Sequence, residues 1–238
     1  MSTLFISDLH LSAERENITK LFIAFLKERA SHADALYILG DLFEVWPGDD
    51  IIQPDYQESI TAIKQLSESG VPIFVMHGNR DFLMAERFSE VSGCTLIDDP
   101  SVIDLYGTPT LLMHGDTLCI DDIDYQKFRT MVRDPRWQTD FLSKSQEERL
   151  AITEKYREIS KAAMADKKMD IMDANQQAVE SAMLEQNIQQ LIHGHTHRPA
   201  IHDFEVNEKP MKRIVLGDWY EQGSVLLCNE TGCQLESL

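Results

Sequence analysis

Apolar residues in this chain occur either as short continuous runs or at helical spacing. The short runs begin at Leu4, Tyr37, Ile73, Leu111 and Leu191. Such short runs, bounded by glycine or polar residues, favour buried β-strands. Between the first runs, residues 18–26 and 56–69 carry apolar positions at helical spacing. Strands that alternate with helices predict an α/β fold.

The side chains that follow these runs are of kinds that bind metal ions. They are Asp8 and His10, Asp41, Asn79, His114, and His195 with His197. One D-x-H sequence after a strand is weak support, because many strands end in aspartate. Five strand ends with oxygen and nitrogen ligands predict one shared site, since open α/β sheets bind ligands at these ends. Asp41 is then the natural bridge between two cations, an arrangement typical of displacement at phosphorus.

Between the fourth and fifth runs, residues 121–189 show no strand pattern. Residues 125–133, 146–166 and 172–185 have helical spacing, and Asp134-Pro135 marks a break. This predicts a helical cap at 121–189, inserted into a core made of residues 1–120 and 190–238.

The net charge of −18 argues against nucleic acid as a partner. Residues 121–168 nevertheless hold 11 of the 22 lysines and arginines, against 10 acidic residues. We therefore expect an anionic ligand at the cap. No run of 18 apolar residues and no basic leader with an apolar stretch occurs, so we expect a cytoplasmic protein. The four cysteines form no C-x-x-C pair, which favours reduced thiols.

The ligand sequences resemble those of a known family. D-x-H, G-D, G-N, H-G and G-H-x-H, in this order between residues 8 and 197, resemble the calcineurin-like metallophosphoesterases. Gly40–Asp50 and the sequence Gly78-Asn-Arg-Asp81 resemble the branch that hydrolyses UDP-2,3-diacylglucosamine in lipid A synthesis. The resemblance implies a two-sheet αββα sandwich with an inserted helical cap. It also implies water attack on the α-phosphorus, giving UMP and 2,3-diacylglucosamine 1-phosphate.

The resemblance further implies a role for each site residue. One metal would be held by Asp8, His10, Asp41 and His197, and the other by Asp41, Asn79, His114 and His195. Two Mn²⁺ ions are implied, while Fe or Zn²⁺ also fits nitrogen and oxygen ligands. The implied catalytic residues are Asp41, Asn79, Arg80 and His114. The implied substrate contacts are Asn79, Arg80, Asp122, Ser160, Lys167 and His195, and Met164 stands where relatives have a polar residue.

Apolar and basic side chains in the cap leave two interpretations open. The apolar ones either pack the helices together or hold acyl chains, because ligand pockets are mainly apolar. Basic side chains there are expected to meet anionic lipid headgroups. They are Arg129, Arg133, Arg136, Lys144 and Arg149. We expect a monomer bound peripherally to the cytoplasmic face of the inner membrane.

The presence of arginine at position 80 is enough to indicate the kind of leaving group. Many relatives have a histidine there, which can protonate an alkoxide. Arginine cannot be deprotonated in proteins, so it can only bind phosphate oxygens and neutralise charge. A phosphate monoester leaves well without a proton, whereas an alkoxide does not. Arg80 therefore favours pyrophosphate over phosphodiester substrates.

Two other functions are compatible with the pattern. A soluble dinucleoside polyphosphate or cyclic nucleotide phosphodiesterase would use the same ligands, but the Gly78-Asn-Arg-Asp81 sequence and the apolar cap disfavour it. A non-catalytic scaffold of the same fold would have lost ligands, and all seven are present.

Overall fold

The computed structural model describes residues 2–166 and 173–238, with side chains described outside 161–172. Its described helices are α1 (Glu16–Glu28), α2 (Gln57–Glu68), α3 (Glu86–Ser92), α4 (Ile123–Arg133), α5 (Pro135–Leu142), α6 (Gln146–Asp166) and α7 (Gln176–Glu185). The described strands are β1 (Thr3–Ile6), β2 (Ala35–Leu39), β3 (Ile73–Met76), β4 (Thr95–Ile97), β5 (Ser101–Leu105), β6 (Thr108–Met113), β7 (Gln190–His193), β8 (Ala200–Val206), β9 (Lys209–Val215), β10 (Ser224–Asn229) and β11 (Gly232–Ser237).

The strands form two sheets, each with a parallel centre. The first has the order β11-β10-β1-β2-β3-β4, in which β1 to β4 are parallel. The second has the order β5-β6-β7-β9-β8, in which β6, β7 and β9 are parallel. Antiparallel strands flank both centres. Parallel strands are normally covered on both faces, which explains why their sequences are continuous apolar runs rather than alternating ones.

The two sheets pack face to face through one apolar layer. Phe5, Leu39 and Met76 of the first sheet meet Leu112 and Ile192 of the second in one buried cluster. Helices α1, α2 and α3 cover the outer face of the first sheet. Helix α7 covers the outer face of the second, where Val179 and Met183 join a cluster with strands β6 and β7. The predicted two-sheet αββα sandwich is confirmed.

Some local predictions were wrong. Residues 82–92 have helical spacing, which predicts a helix from residue 82, whereas the helix begins at Glu86. The pattern also did not predict α5, which starts with Pro135 at its first position after the Asp134 N-cap. The expectation of reduced thiols was wrong for Cys228 and Cys233, which form a disulfide. These two residues lie opposite each other in the β10–β11 pair, a register that the cysteine spacing does not reveal.

Basic side chains of α4 and α6 contact residues in the loops that follow β2, β3 and β6. Arg129 Nε lies 2.7 Å from the buried Asp116 carboxylate, and Arg133 donates to the Gly78 carbonyl over 2.9 Å. Arg149 is only 2% exposed and pairs with Asp50. The expected contact with lipid headgroups is therefore wrong for Arg149. Among the described residues, no helix is long and apolar enough to cross a membrane.

The Arg149 contacts predict a measurable loss of stability. Arg149→Met removes charge-assisted bonds to Asp50 and to the Pro47 carbonyl, so we expect the free energy of unfolding to fall by about 1–3 kcal/mol. Urea unfolding measures this. Lys144→Met is the control, because Lys144 pairs with the exposed Asp140 four residues before it, and such pairs contribute about 0.5 kcal/mol or less. Equal losses in both variants would contradict the anchoring role of Arg149.

Candidate metal centre

The C-terminal ends of β1, β2, β3, β6 and β7 meet at one edge of the sandwich. Backbone hydrogen bonds join the segments that follow them. Asp8 N donates to Gly40 O over 3.1 Å, and His10 N donates to Asp41 O over 2.9 Å. His195 N, from the second sheet, donates to Asp8 Oδ2 over 2.8 Å. The two sheets are therefore connected at the point where the predicted ligands lie.

Five of the seven predicted ligands adopt left-handed backbone conformations. These are Asp8 (φ 56°), His10 (φ 49°), Asp41 (φ 52°), His195 (φ 66°) and His197 (φ 56°). A side chain with a Cβ is strained there, so the conformation persists only where surrounding contacts impose it. Clustered strain of this kind is typical of functional sites.

The first group of ligand atoms comes from Asp8, His10 and His197. One atom from each lies within 4.8 Å of the others. Asp8 Oδ2 already accepts bonds from Ser7 Oγ and from His195 N. Its Oδ1 faces His197 Nε2 at 3.3 Å. The arrangement leaves Oδ1 as the oxygen that points toward the histidines.

Asp41 lies between this group and a second one. Asp8, Asp41 and His114 also bring ligand atoms within 4.8 Å of one another. Asp41 Oδ1 accepts from Arg80 N over 2.8 Å, while Oδ2 lies 3.7 Å from His10 Nε2 and 4.0 Å from His114 Nε2. Asp41 Oδ2 therefore occupies the position expected for a bridging ligand.

Asn79 and His195 complete the second group. Asn79 Oδ1 lies 3.1 Å from His114 Nε2, and the rings of His114 and His195 have centroids 5.0 Å apart. Burial and the nearby His114 lower the pKa of His195 to about 4. The neutral ring is thus available as a nitrogen ligand. All seven side chains predicted from the strand ends lie together.

The donor set fits divalent cations. Among the described residues, Asp8 Oδ1 and both ring nitrogens of His10 are buried and make no hydrogen bond of normal geometry, although Glu44 Oε2 lies 3.0 Å from His10 Nδ1. Although burial alone lowers the pKa of His114, the Asp41 and Asp8 carboxylates raise it to about 9. Burial raises the pKa of Asp8, but His197, His114 and His10 hold it well below its usual range. Cations bound here would replace the protons that balance these carboxylates.

A buried carboxylate shapes the two loops around Asp41. Asp81 accepts hydrogen bonds from Gly78 N over 2.8 Å and from Leu42 N over 2.7 Å. Burial and the neighbouring Asp41 raise the pKa of Asp81 to about 6. Asp81 thereby joins the loop after β3 to the loop after β2, which fixes Asn79 relative to Asp41.

The remaining predicted site residues lie in different surroundings. Arg80 is partly exposed, and its Nη1 lies 4.0 Å from Glu44 Oε1. The Asp122 carboxylate caps α4 by accepting from Tyr125 N over 3.1 Å. Ser160 is partly exposed on α6, and Lys167 lies outside the described residues. Their contacts with a substrate stay predictions.

Sequence reasoning did not assign Glu44 or Asp218 to the site. Glu44 Oε2 lies 3.0 Å from His10 Nδ1, and Asp218 Oδ2 lies 3.3 Å from His197 Nδ1. Burial raises the pKa of Glu44, but His10, Arg80 and Arg157 outweigh it and hold the pKa at about 2. Glu44 follows Asp41 by three residues, and that proximity to a ligand was the one available signal.

Gly78 offers a direct test of how closely the loops fit. A Cβ at this position would lie 2.0 Å from Asp41 Oδ1 and 2.3 Å from Asp41 N. We expect Gly78→Ala to displace Asp41 and to weaken Mn²⁺ binding by about 10- to 100-fold, as measured by titration. Gly70→Ala is the control for backbone strain without a steric contact, because its φ is +99° and its Cβ would have no neighbour within 4 Å. Wild-type affinity in Gly78→Ala would show that Asp41 is not needed where it lies.

Comparisons with known proteins agree with this geometry. A family model described as calcineurin-like phosphoesterase matches residues 1–199. The chain is 50% identical to a UDP-2,3-diacylglucosamine hydrolase of Photobacterium profundum, over 100% of this chain and 97% of that protein. A protein of the same name from Stenotrophomonas maltophilia is 49% identical, covering 100% and 99% of the two chains. One from Escherichia coli is 52% identical, covering 95% and 94%. The chain belongs to the calcineurin-like phosphoesterase family.

Proposed function

We propose that this protein hydrolyses the pyrophosphate bond of UDP-2,3-diacylglucosamine in lipid A biosynthesis. Water attacks the α-phosphorus, and the products are UMP and 2,3-diacylglucosamine 1-phosphate. The observation that carries the proposal is full-length identity of about one half to hydrolases with this name, together with the clustering of the seven predicted ligand side chains. The alternative of a soluble phosphodiesterase has no comparable support among these relatives.

Two divalent cations are the proposed cofactors, and Mn²⁺ is the proposed metal. Asp8, His10, Asp41 and His197 would hold one, and Asp41, Asn79, His114 and His195 would hold the other. When bound, such a pair activates water and neutralises charge on the phosphoryl oxygens. The loop contacts of Asp41 and Asp81 keep the ligands preorganised, so little reorganisation is needed at the reacting phosphorus.

Arg80 is the proposed phosphate-binding side chain. Its backbone N–H is bonded to Asp41, so its side chain begins directly beside the proposed bridging ligand. The guanidinium lies near Glu44 and is partly exposed, which leaves donors available to the substrate. Since arginine cannot supply a proton, the leaving group departs as a phosphate monoester.

Helices α4, α5 and α6 are the proposed lipid-binding cap; the predicted boundary of 121–189 was too wide, because α7 packs on the second sheet. Large apolar side chains there stay exposed, among them Ile123 at 62% and Ile159 at 54%. We propose that such side chains meet acyl chains, and that Asp122, Ser160 and Lys167 contact the polar part of the substrate. Arg136, which is exposed on α5, is a proposed contact with the anionic cytoplasmic face of the inner membrane.

The function is tested by UMP release from the diacylated substrate. We expect release that needs Mn²⁺, stops on chelation and is nearly lost in Asp41→Ala, because that variant removes the carboxylate shared by both groups. Elemental analysis should find metal lost from the variant. Asp203→Ala is the matched control, since Asp203 contacts Lys212 on the surface. Hydrolysis of soluble dinucleotides in preference to the lipid substrate would refute the proposed substrate.

Arg80 substitutions test the leaving-group argument. We expect Arg80→His to lower kcat/KM on the pyrophosphate substrate by roughly 30- to 1000-fold, equivalent to about 2–4 kcal/mol of transition-state stabilisation. Arg80→Lys should retain more activity than Arg80→His but less than the wild type, because the lysine ammonium keeps the charge but cannot form the paired hydrogen bonds of the guanidinium. Activity on bis-p-nitrophenyl phosphate serves as the comparison. Full pyrophosphatase activity in Arg80→His would refute the inference from Arg80 to a phosphate leaving group.

A further inference from the structure

His10 and His197 are arranged in the same way between two carboxylates. His10 Nδ1 lies 3.0 Å from Glu44 Oε2, and its Nε2 lies 3.7 Å from Asp41 Oδ2. His197 Nδ1 lies 3.3 Å from Asp218 Oδ2, and its Nε2 lies 3.3 Å from Asp8 Oδ1. In both rings, an outer carboxylate faces Nδ1 and an inner carboxylate faces Nε2.

The distinction between the two nitrogens matters for ligation. A neutral imidazole carries its proton on one nitrogen and has a lone pair on the other. An acceptor at Nδ1 holds the proton there and leaves Nε2 free to bind a cation. His114 follows the same rule with a backbone acceptor, because its Nδ1 lies 2.9 Å from Leu39 O.

We infer that Glu44 and Asp218 are positioning residues that hold the Nδ1–H tautomers of His10 and His197, so that both present Nε2 to the same cation. The inference rests on the cation site of the proposed function. It adds the two carboxylates that prepare this site, one from the loop after β2 and one from the loop after β9.

Each outer carboxylate is itself held in place. Glu44 Oε1 lies 3.2 Å from Arg157 Nε on α6 and 4.0 Å from Arg80 Nη1, which leaves Oε2 toward His10. Asp218 precedes Trp219, whose backbone N–H donates to Asp8 O and whose buried ring packs on Phe22 and Phe25 of α1. Both loops are therefore fixed by contacts independent of the histidines.

The ring of Tyr220 restricts the two imidazoles further. It stacks on His10 with an interplanar angle of 6° and lies 5.3 Å from the His197 ring centroid. Arg15 lies 4.6 Å from the Tyr220 ring and donates to the His10 carbonyl. An imidazole turned out of this plane would lose the packing, so Tyr220 favours the observed plane of the His10 ring.

The test uses isosteric amides in the full-length protein. In Glu44→Gln and Asp218→Asn, the new amide can donate to Nδ1 and so favours the Nε2–H tautomer. We expect each to weaken Mn²⁺ binding by about 10- to 100-fold, measured from the electron paramagnetic resonance signal of free Mn²⁺. In the chelator-treated protein, at a pH high enough for both rings to be neutral, ¹⁵N–¹H correlation spectra of the rings should report the changed tautomer of His10 or His197.

Glu154→Gln is the matched control. Glu154 Oε2 lies 2.9 Å from Arg157 Nη1, the arginine that also contacts Glu44, and among the described residues no hydrogen bond or ion pair joins Glu154 to a histidine. We expect wild-type Mn²⁺ affinity and tautomers in this variant. Glu44 and Asp218 come from different loops, so the test can be made with either variant if the other fails to fold. Near-ultraviolet circular dichroism shows which variant is folded.

The outcomes separate this inference from the proposed function. Unchanged tautomers in Glu44→Gln and Asp218→Asn would overturn the positioning role, whatever the metal affinity. Changed tautomers with weakened Mn²⁺ binding would support it. A wild-type protein that binds no Mn²⁺ would refute the proposed cofactor, while the tautomer spectra, which need no metal, would still decide whether the carboxylates hold the rings.

Discussion

The Asp8 carboxylate is the group on which the rest of the centre depends. It is fully buried at the end of β1, yet one of its oxygens accepts from the backbone of His195 in the other sheet. A buried carboxylate is costly unless bonded or paired, so this bond constrains how the sheets meet. The second oxygen then faces His197, and the loop that carries Trp219 donates to the Asp8 carbonyl.

The loop from Phe43 to Asp50 extends this constraint to the inserted helices. Trp46 is buried against Phe43, and its indole donates to Asp49. Asp49 also accepts from backbone N–H groups at the start of α3, while Asp50 pairs with Arg149 of α6. This acidic loop therefore contacts both α3 and α6 and fixes their positions relative to the predicted ligands.

The sequence predicted those features that depend on local order along the chain. Asp8, Asp41 and Asn79 each follow a buried run, and parallel strands bring their C-terminal ends to one edge, so the ligand cluster could be foreseen. Glu44 and Asp218 could not, because their contacts with histidines depend on how two irregular loops fold back. The Cys228–Cys233 disulfide depends on the register of β10 and β11, which the sequence does not give. The Arg149 side chain is buried because it binds Asp50 and the Pro47 carbonyl, which lie about 100 residues away in the sequence.

The left-handed backbone at Asp8, His10, Asp41, His195 and His197 has a consequence for how this chain trades folding against activity. Each such residue costs on the order of 1–3 kcal/mol that glycine would largely avoid. The chain is therefore less stable than it could be, and that stability could be recovered only by replacing residues of the metal centre. A descendant released from selection for hydrolysis should accept glycine at these positions while keeping its sheets. Glycine at several of these five positions would therefore indicate a relative that keeps the fold but has lost hydrolase activity.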